Sequence, residues 1–206
     1  MITGLRQKPG RNPGTESGKE GTTMLEKHLI EHCSPTLASI KTANLFTCAY
    51  GDEAELEREV TDWNRQMRGK GIFLQVLRKK EGRALVYVCR FSRLEEDMQK
   101  PGTAEFLKQC GYEKAEPAAA LDRLRRKLQS EDGFPHEIGL FLGYPLGDVV
   151  GFIVNAGRNY ALTGYWKVYT NAGETARMFE RYNRCRDVYE RLWKQGRSVS
   201  QLTVAA

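Results

Sequence analysis

His136 and Glu137 are adjacent polar side chains within the apolar, glycine-rich segment 134–157. An imidazole beside a carboxylate has the composition of a general acid/base pair or of a ligand pair. The alternative is structural, because a glutamate in a first helical turn is stabilised by the helix dipole. The zinc-protease pattern H-E-x-x-H is excluded, since its second histidine is replaced by Leu140. His136 and Glu137 are therefore candidate catalytic residues without a metal motif.

Cys33 lies in a second stretch of residues that could take part in a reaction or bind a ligand. This stretch also contains His28 and His32. It directly precedes Ser34 and Pro35, a pair that predicts the start of a helix, and a helix N-terminus lowers the pKa of a thiol. Cys33 is therefore a candidate nucleophile if an imidazole lies beside it. The two histidines are four residues apart, a feasible spacing for two ligands on one helix. A buried, inert thiol and two surface histidines are the alternative, and no metal site is predicted.

Five further side chains are candidates for contact with a ligand. Lys41 and Asn44 lie where a helix is predicted to give way to a strand, and such junctions often carry binding residues. Lys41 would meet an anionic group, and Tyr144 or Trp166 would line the pocket. Lys167 follows Trp166 in the same predicted strand. A solvated or core position is the competing interpretation for these side chains.

Four glycines repeat at every fourth position within the segment 134–157: Gly139, Gly143, Gly147 and Gly151. This spacing predicts a surface for close packing, or loops that need the conformational freedom of glycine. It is not a phosphate-binding loop, because neither G-K-[ST] nor G-x-G-x-x-G is present.

Composition limits the classes of function. The net charge of +6 is compatible with an anionic small molecule, but it is too small to indicate nucleic acid, which we do not expect. The five cysteines contain no C-x-x-C pair, which argues against a disulfide framework and favours a reducing compartment. No apolar stretch is long enough to span a membrane. These features predict a cytoplasmic protein.

Turn and cap signals divide residues 24–206 into one α+β domain, preceded by a polar extension over residues 1–23 that is predicted to be disordered. The domain should contain about eight helices around a small, largely antiparallel sheet of about four strands. One helix is predicted over residues 53–68, and two of the strands are predicted over residues 43–50 and 165–170. Two nearly continuous apolar runs, 72–77 and 84–89, should form a hairpin at the centre of that sheet.

Three segments carry a resemblance to a known family: FPHEIGLFLGYPLGDVVGFI (134–153), GYWKVY (164–169) and HCSPTLASIKTANLF (32–46). Together they resemble an uncharacterised bacterial family that is known only as a domain of unknown function, and the resemblance covers about residues 24–193. It implies no activity. Its most recognisable positions here are Cys33, Ser34, Pro35, Thr36, Lys41, Asn44, Phe134, Pro135, His136, Glu137, Gly139, Gly143, Tyr144, Pro145, Asp148, Trp166, Lys167 and Tyr169. Thr163 stands where the family often has a cysteine.

Two functions remain open at this stage. The first is a small-molecule- or cofactor-handling protein whose site joins the 134–148 segment to the 33–44 segment. The second is a non-catalytic adaptor whose basic helices, within 123–127 and 177–191, meet an acidic protein or nucleic acid. The sequence specifies neither a cofactor nor a reaction, and it leaves open whether the protein is an enzyme.

Overall fold

The computed structural model describes residues 24–130 and 133–205, so the predicted disorder of residues 1–23 lies outside the described residues. The helices are α1 (Met24–Leu37), α2 (Glu53–Met67), α3 (Phe91–Met98), α4 (Thr103–Gln109), α5 (Pro117–Gln129), α6 (Ile138–Phe141), α7 (Leu146–Val154), α8 (Ala172–Lys194) and α9 (Val199–Leu202). The strands are β1 (Ala43–Ala49), β2 (Ile72–Lys80), β3 (Arg83–Arg90), β4 (Leu162–Thr163) and β5 (Lys167–Val168). The predicted α+β class is confirmed.

The main sheet is antiparallel and has the strand order β1-β3-β2. The apolar run of β3 is buried throughout, as expected for a central strand covered on both faces. The predicted central position is wrong for β2, which lies at an edge of the sheet. Its apolar residues are explained by α2 and α5, which both pack against this strand.

The two faces of the sheet carry separate apolar cores. Along β3, Val86 and Val88 belong to a core built with α1, α2, α8 and α9. The alternating residues Leu85, Tyr87 and Cys89 belong to a second core, built with α3 to α7. This alternation follows from the two-residue period of a strand. Helix α1 therefore lies on one face of the sheet and the 134–154 segment on the other.

The predicted helix start at Ser34 and Pro35 is wrong, because both residues lie within α1. Ser34 donates its hydroxyl to the carbonyl of Ile30 instead of capping a new helix. Pro35 is tolerated near the end of α1, where its carbonyl accepts the backbone N–H groups of Ile40 and Lys41. Burial of one continuous apolar face of α1 against the sheet outweighs the breaking tendency of Pro35.

A small second sheet follows α7. The strand predicted over residues 165–170 is reduced to β5, which pairs with β4. Trp166 and Val168 pack with Phe179 and Tyr182 of α8 to form a third apolar cluster. None of the described helices is long and apolar enough to cross a membrane.

Candidate functional site

The 33–44 and 134–148 segments are in contact. Lys41 donates from Nζ to the carbonyl of Leu142 at 2.9 Å and also to the carbonyl of Ala43. Gly143 has a φ of +77°, and a Cβ atom there would lie 2.6 Å from Oγ1 of Thr42. The contact therefore requires glycine at position 143, both for its backbone angle and for the space it leaves.

Lys41 is buried at this junction, with 4% of its surface exposed. Its ammonium lies 5.2 Å from the ring centre of Tyr144, and the hydrogen-bond acceptors found for it are carbonyl oxygens. Desolvation by burial lowers its pKa to about 7. Lys41 is therefore an internal connection between the two segments, with a large neutral fraction near pH 7.

Cys33 and Asn44 are also buried near this junction. Cys33 is fully buried in the core of α1, and this burial raises the pKa of its thiol. Its place at the C-terminal end of α1 removes the helix N-terminus on which the nucleophile prediction depended. Asn44 accepts the Thr36 hydroxyl at 2.7 Å and thereby ties β1 to α1. Both side chains are engaged in the interior of the fold.

Tyr144 and Trp166 stack on each other, with ring centres 4.4 Å apart. The indole N–H of Trp166 donates to Asp148 at 2.7 Å. Asp148 also accepts the backbone N–H groups of Tyr169 and Thr170, each at 2.8 Å. This buried carboxylate fixes the β5 segment to α7, a role that our sequence analysis missed. An aspartate within the apolar helix sequence LGDVVGFIV was the available signal.

His136 and Glu137, the predicted acid/base pair, have different side-chain partners. Glu137 is 5% exposed, forms an ion pair with Lys127 and accepts the hydroxyl of Tyr112 at 3.2 Å. His136 is half-buried, with its ring centre 5.0 Å from that of Phe152 in an edge-on arrangement. Burial lowers the pKa of His136, so its imidazole is mostly neutral at neutral pH.

Lys167 lies beside the same phenylalanine. Its ammonium is 5.8 Å from the ring centre of Phe152 and 4.9 Å from that of Tyr160. It donates to the carbonyl of Gly157 at 2.6 Å, and no carboxylate of the described residues forms an ion pair with it. We call His136, Phe152, Tyr160 and Lys167 the His136–Lys167 surface.

The loop after α7 shapes this surface through unusual backbone angles. Ala156 and Asn159 have φ values of +48° and +56°, a region that residues other than glycine rarely adopt. Gly157 leaves room for the close approach of Phe152 and Lys167, since a Cβ atom there would lie 3.1 Å from the Phe152 ring. Tyr160 is 42% exposed, so one aromatic ring of the surface is accessible to solvent.

A cleft of about 890 Å³ lies between β2, α2 and α5. Arg78 and Lys80 contribute positive charge to its walls, whereas Lys79 is paired with Glu53 and Glu57, and Arg125 with Asp122. None of the predicted site residues lines this cleft. The cleft shares no lining residue with the His136–Lys167 surface, but the ring centre of Phe134 in its wall lies 6.5 Å from that of His136.

The basic helices of the adaptor hypothesis are partly neutralised by their own acidic residues. Asp122 of α5 pairs with Arg125 and Arg126. On α8, Arg184 pairs with Glu180. These pairs reduce the positive charge that either helix presents to an anionic partner. They favour the interpretation of both helix surfaces as solvated and salt-bridged over the adaptor hypothesis.

Comparison with known proteins gives a family but no activity. A family model described as "Protein of unknown function (DUF3793)" matches residues 29–203. This range includes all the catalytic and ligand-binding candidates from Cys33 to Lys167. No curated protein and no solved structure matches the chain. A functional site is therefore assigned from the geometry of this chain.

Proposed function

The chain belongs to the DUF3793 family, and we propose that it is a cytoplasmic small-molecule-handling protein that binds an anionic ligand at the His136–Lys167 surface. The 134–148 segment contributes His136 to this surface. The 33–44 segment supports it indirectly, through the hydrogen bond from Lys41 to Leu142. All five cysteines lie within the described residues without a disulfide, which favours a reducing compartment such as the cytoplasm.

The arrangement of Lys167 carries this proposal. Its ammonium is held beside two aromatic rings and by one carbonyl, without an ion pair to a carboxylate among the described residues. A cation fixed in this way offers an anionic group a positioned charge that no internal carboxylate neutralises. Fixing it in advance reduces the side-chain entropy lost when a ligand binds.

The neighbouring groups favour a ligand with a planar, unsaturated part. The exposed ring of Tyr160 provides a flat apolar face on which such a part would stack. The neutral imidazole of His136 can donate one hydrogen bond or accept one. An aromatic carboxylate or a nucleoside monophosphate combines these features.

Calorimetric titration with a panel of aromatic carboxylates and nucleoside monophosphates tests the proposal. We expect saturable binding of at least one compound, and Lys167→Met should weaken it by about 10- to 100-fold, because a hydrogen bond to a charged group contributes about 1.5–3 kcal/mol. Lys108→Met, which removes an exposed lysine of α4, is the matched control and should bind like the wild type. The melting temperature of each variant without ligand establishes that it is folded.

Two results would contradict the proposal. One is that no compound of the panel binds the wild type. The other is that folded Lys167→Met binds as tightly as Lys108→Met, in which case Lys167 only stabilises the loop after α7 through the carbonyl of Gly157.

A further inference from the structure

Three side chains with metal-binding atoms occupy one face of α1, away from the surface described above. His28, Glu31 and His32 are at positions i, i+3 and i+4, which place them side by side on a helix. Each offers one ligand atom, and these atoms all lie within 4.8 Å of one another. The spacing of the two histidines alone predicted no metal site, whereas the helix adds the carboxylate of Glu31 as a third donor.

We propose that His28, Glu31 and His32 bind a divalent transition-metal ion of the Zn²⁺ class. Two imidazole nitrogens and one carboxylate oxygen form a donor set that zinc accepts, at bond lengths of about 2.0–2.2 Å. In tetrahedral coordination such donors lie about 3.3 Å apart. Metal binding therefore requires the three atoms to move closer together than the 4.8 Å within which they now lie, and water would fill the fourth position.

The packing of the two imidazoles holds them ready for this geometry. Their ring centres are 5.5 Å apart with an angle of 19° between the planes. Both also stack on Phe46 of β1, at 5.2 Å for His28 and 5.7 Å for His32. Nδ1 of His28 is buried and has no hydrogen-bond partner among the described residues, so the fold does not use this nitrogen. Less side-chain freedom is therefore lost when a metal binds.

Two cations near the site oppose metal binding. Lys27 lies 3.9 Å from the carboxylate of Glu31 and competes for it. Arg186 of α8 is close enough to His32 to act on its charge state. Removing Arg186 should therefore strengthen metal binding, an effect that is not expected if the histidines serve only as packing residues.

Titration of the purified full-length chain with ZnCl₂ by calorimetry, and with CoCl₂ by visible absorption, tests the site. We expect one ion per chain, the visible bands of low-coordinate Co²⁺, at least a tenfold loss of affinity in His28→Gln and in His32→Gln, and tighter binding in Arg186→Gln. Glu31→Gln exchanges a half-buried carboxylate for an amide of the same size, and it should also weaken binding. Circular dichroism checks the fold of each variant.

The chain has only three histidines, so imidazole NMR signals provide an internal control. On addition of ZnCl₂ the signals of His28 and His32 should shift, whereas those of His136 should stay in place. The proposal is overturned if no stoichiometric binding occurs. It is also overturned if folded His28→Gln, His32→Gln and Glu31→Gln all bind like the wild type, because residues outside this cluster would then hold the ion.

Discussion

At the scale of single residues, the fold satisfies its buried charges in different ways. Glu137 is paired with the opposite charge of Lys127, so the buried carboxylate has a counter-charge. Asp148 has hydrogen-bond donors instead, and Lys41 has carbonyl acceptors. The carbonyl oxygens around Lys41 do not fully replace the water that its ammonium loses on burial, so desolvation lowers its pKa.

Lys41 should make the stability of the protein depend on pH. Its pKa is about 7 in the folded chain and 10.5 ordinarily, so between these values the unfolded chain binds the additional proton. The contribution of Lys41 to the free energy of unfolding therefore increases with pH across this window, by up to about 1.4 kcal/mol per pH unit. Urea unfolding at about pH 7.5 and about pH 9 should give a smaller increase for Lys41→Met than for the wild type.

Lys108→Met is the control for this measurement, because it removes an exposed lysine and should leave the pH dependence unchanged. Equal pH dependence in Lys41→Met and the wild type would mean that the two carbonyl acceptors compensate fully for the burial of the ammonium. Lys41 would then be charged throughout the range.

At the scale of elements, the four spaced glycines confirm the predicted close packing. A Cβ atom would lie 2.8 Å from Val149 at Gly139, and 3.0 Å from Thr170 at Gly147. At Gly151 it would lie 2.5 Å from the ring of Tyr169. The glycines of α7 therefore let this helix lie directly against the segment that carries Lys167.

Gly151→Ala should destabilise the protein by about 2 kcal/mol, because overpacking at a close contact displaces a helix or a ring. Gly173→Ala is the matched control, since Gly173 also lies in a helix but has no atom within 4 Å of the position that its Cβ would take. That variant should be neutral or up to about 1 kcal/mol more stable. Thermal and urea unfolding measure both changes, and equal effects would contradict the packing argument.

Local sequence signals predicted most boundaries of helices and strands. They failed where tertiary contacts determine the point at which an element ends. The strand predicted over residues 43–50 is β1, and the helix predicted from Glu53 is α2, because alternation, caps and glycine breaks are local. Pro35 misled the prediction of α1, since its cost to the helix is outweighed by burial that no local pattern reports. Element type is therefore more predictable than the place where a buried helix ends.

The candidate site was predictable in its segments but not in its grouping. The contact between the 33–44 and 134–148 segments was expected, and Lys41 makes it. The different partners of His136 and Glu137 were not expected. In a turn, the backbone angles determine the direction of each side chain, and sequence adjacency does not report them. Phe152 and Tyr160 reach Lys167 through a loop with left-handed angles at Ala156 and Asn159, which no spacing rule indicates.

At the scale of the whole molecule, one guanidinium connects segments that are far apart in the chain. Arg90 at the end of β3 is 2% exposed and donates to Thr36 and Leu37 at the end of α1, at 2.8 and 2.7 Å. It also donates to Lys70 after α2 and to Val204 after α9, at 3.1 and 2.7 Å. The N–H of Val204 in turn donates to the carbonyl of Leu37.

Arg90→Lys should therefore weaken the whole structure, because an ammonium cannot reproduce the planar fork that serves four carbonyl groups. We expect a loss of about 3 kcal/mol in the free energy of unfolding by urea, together with faster hydrogen exchange at the amide of Val204. Arg83→Lys makes the same exchange at the exposed start of β3 and should change stability by less than about 0.5 kcal/mol. If the two variants were equally stable, the carbonyl groups around Arg90 would be satisfied without its fork, and the packing of α1, α2 and α9 on the sheet would alone hold these segments together.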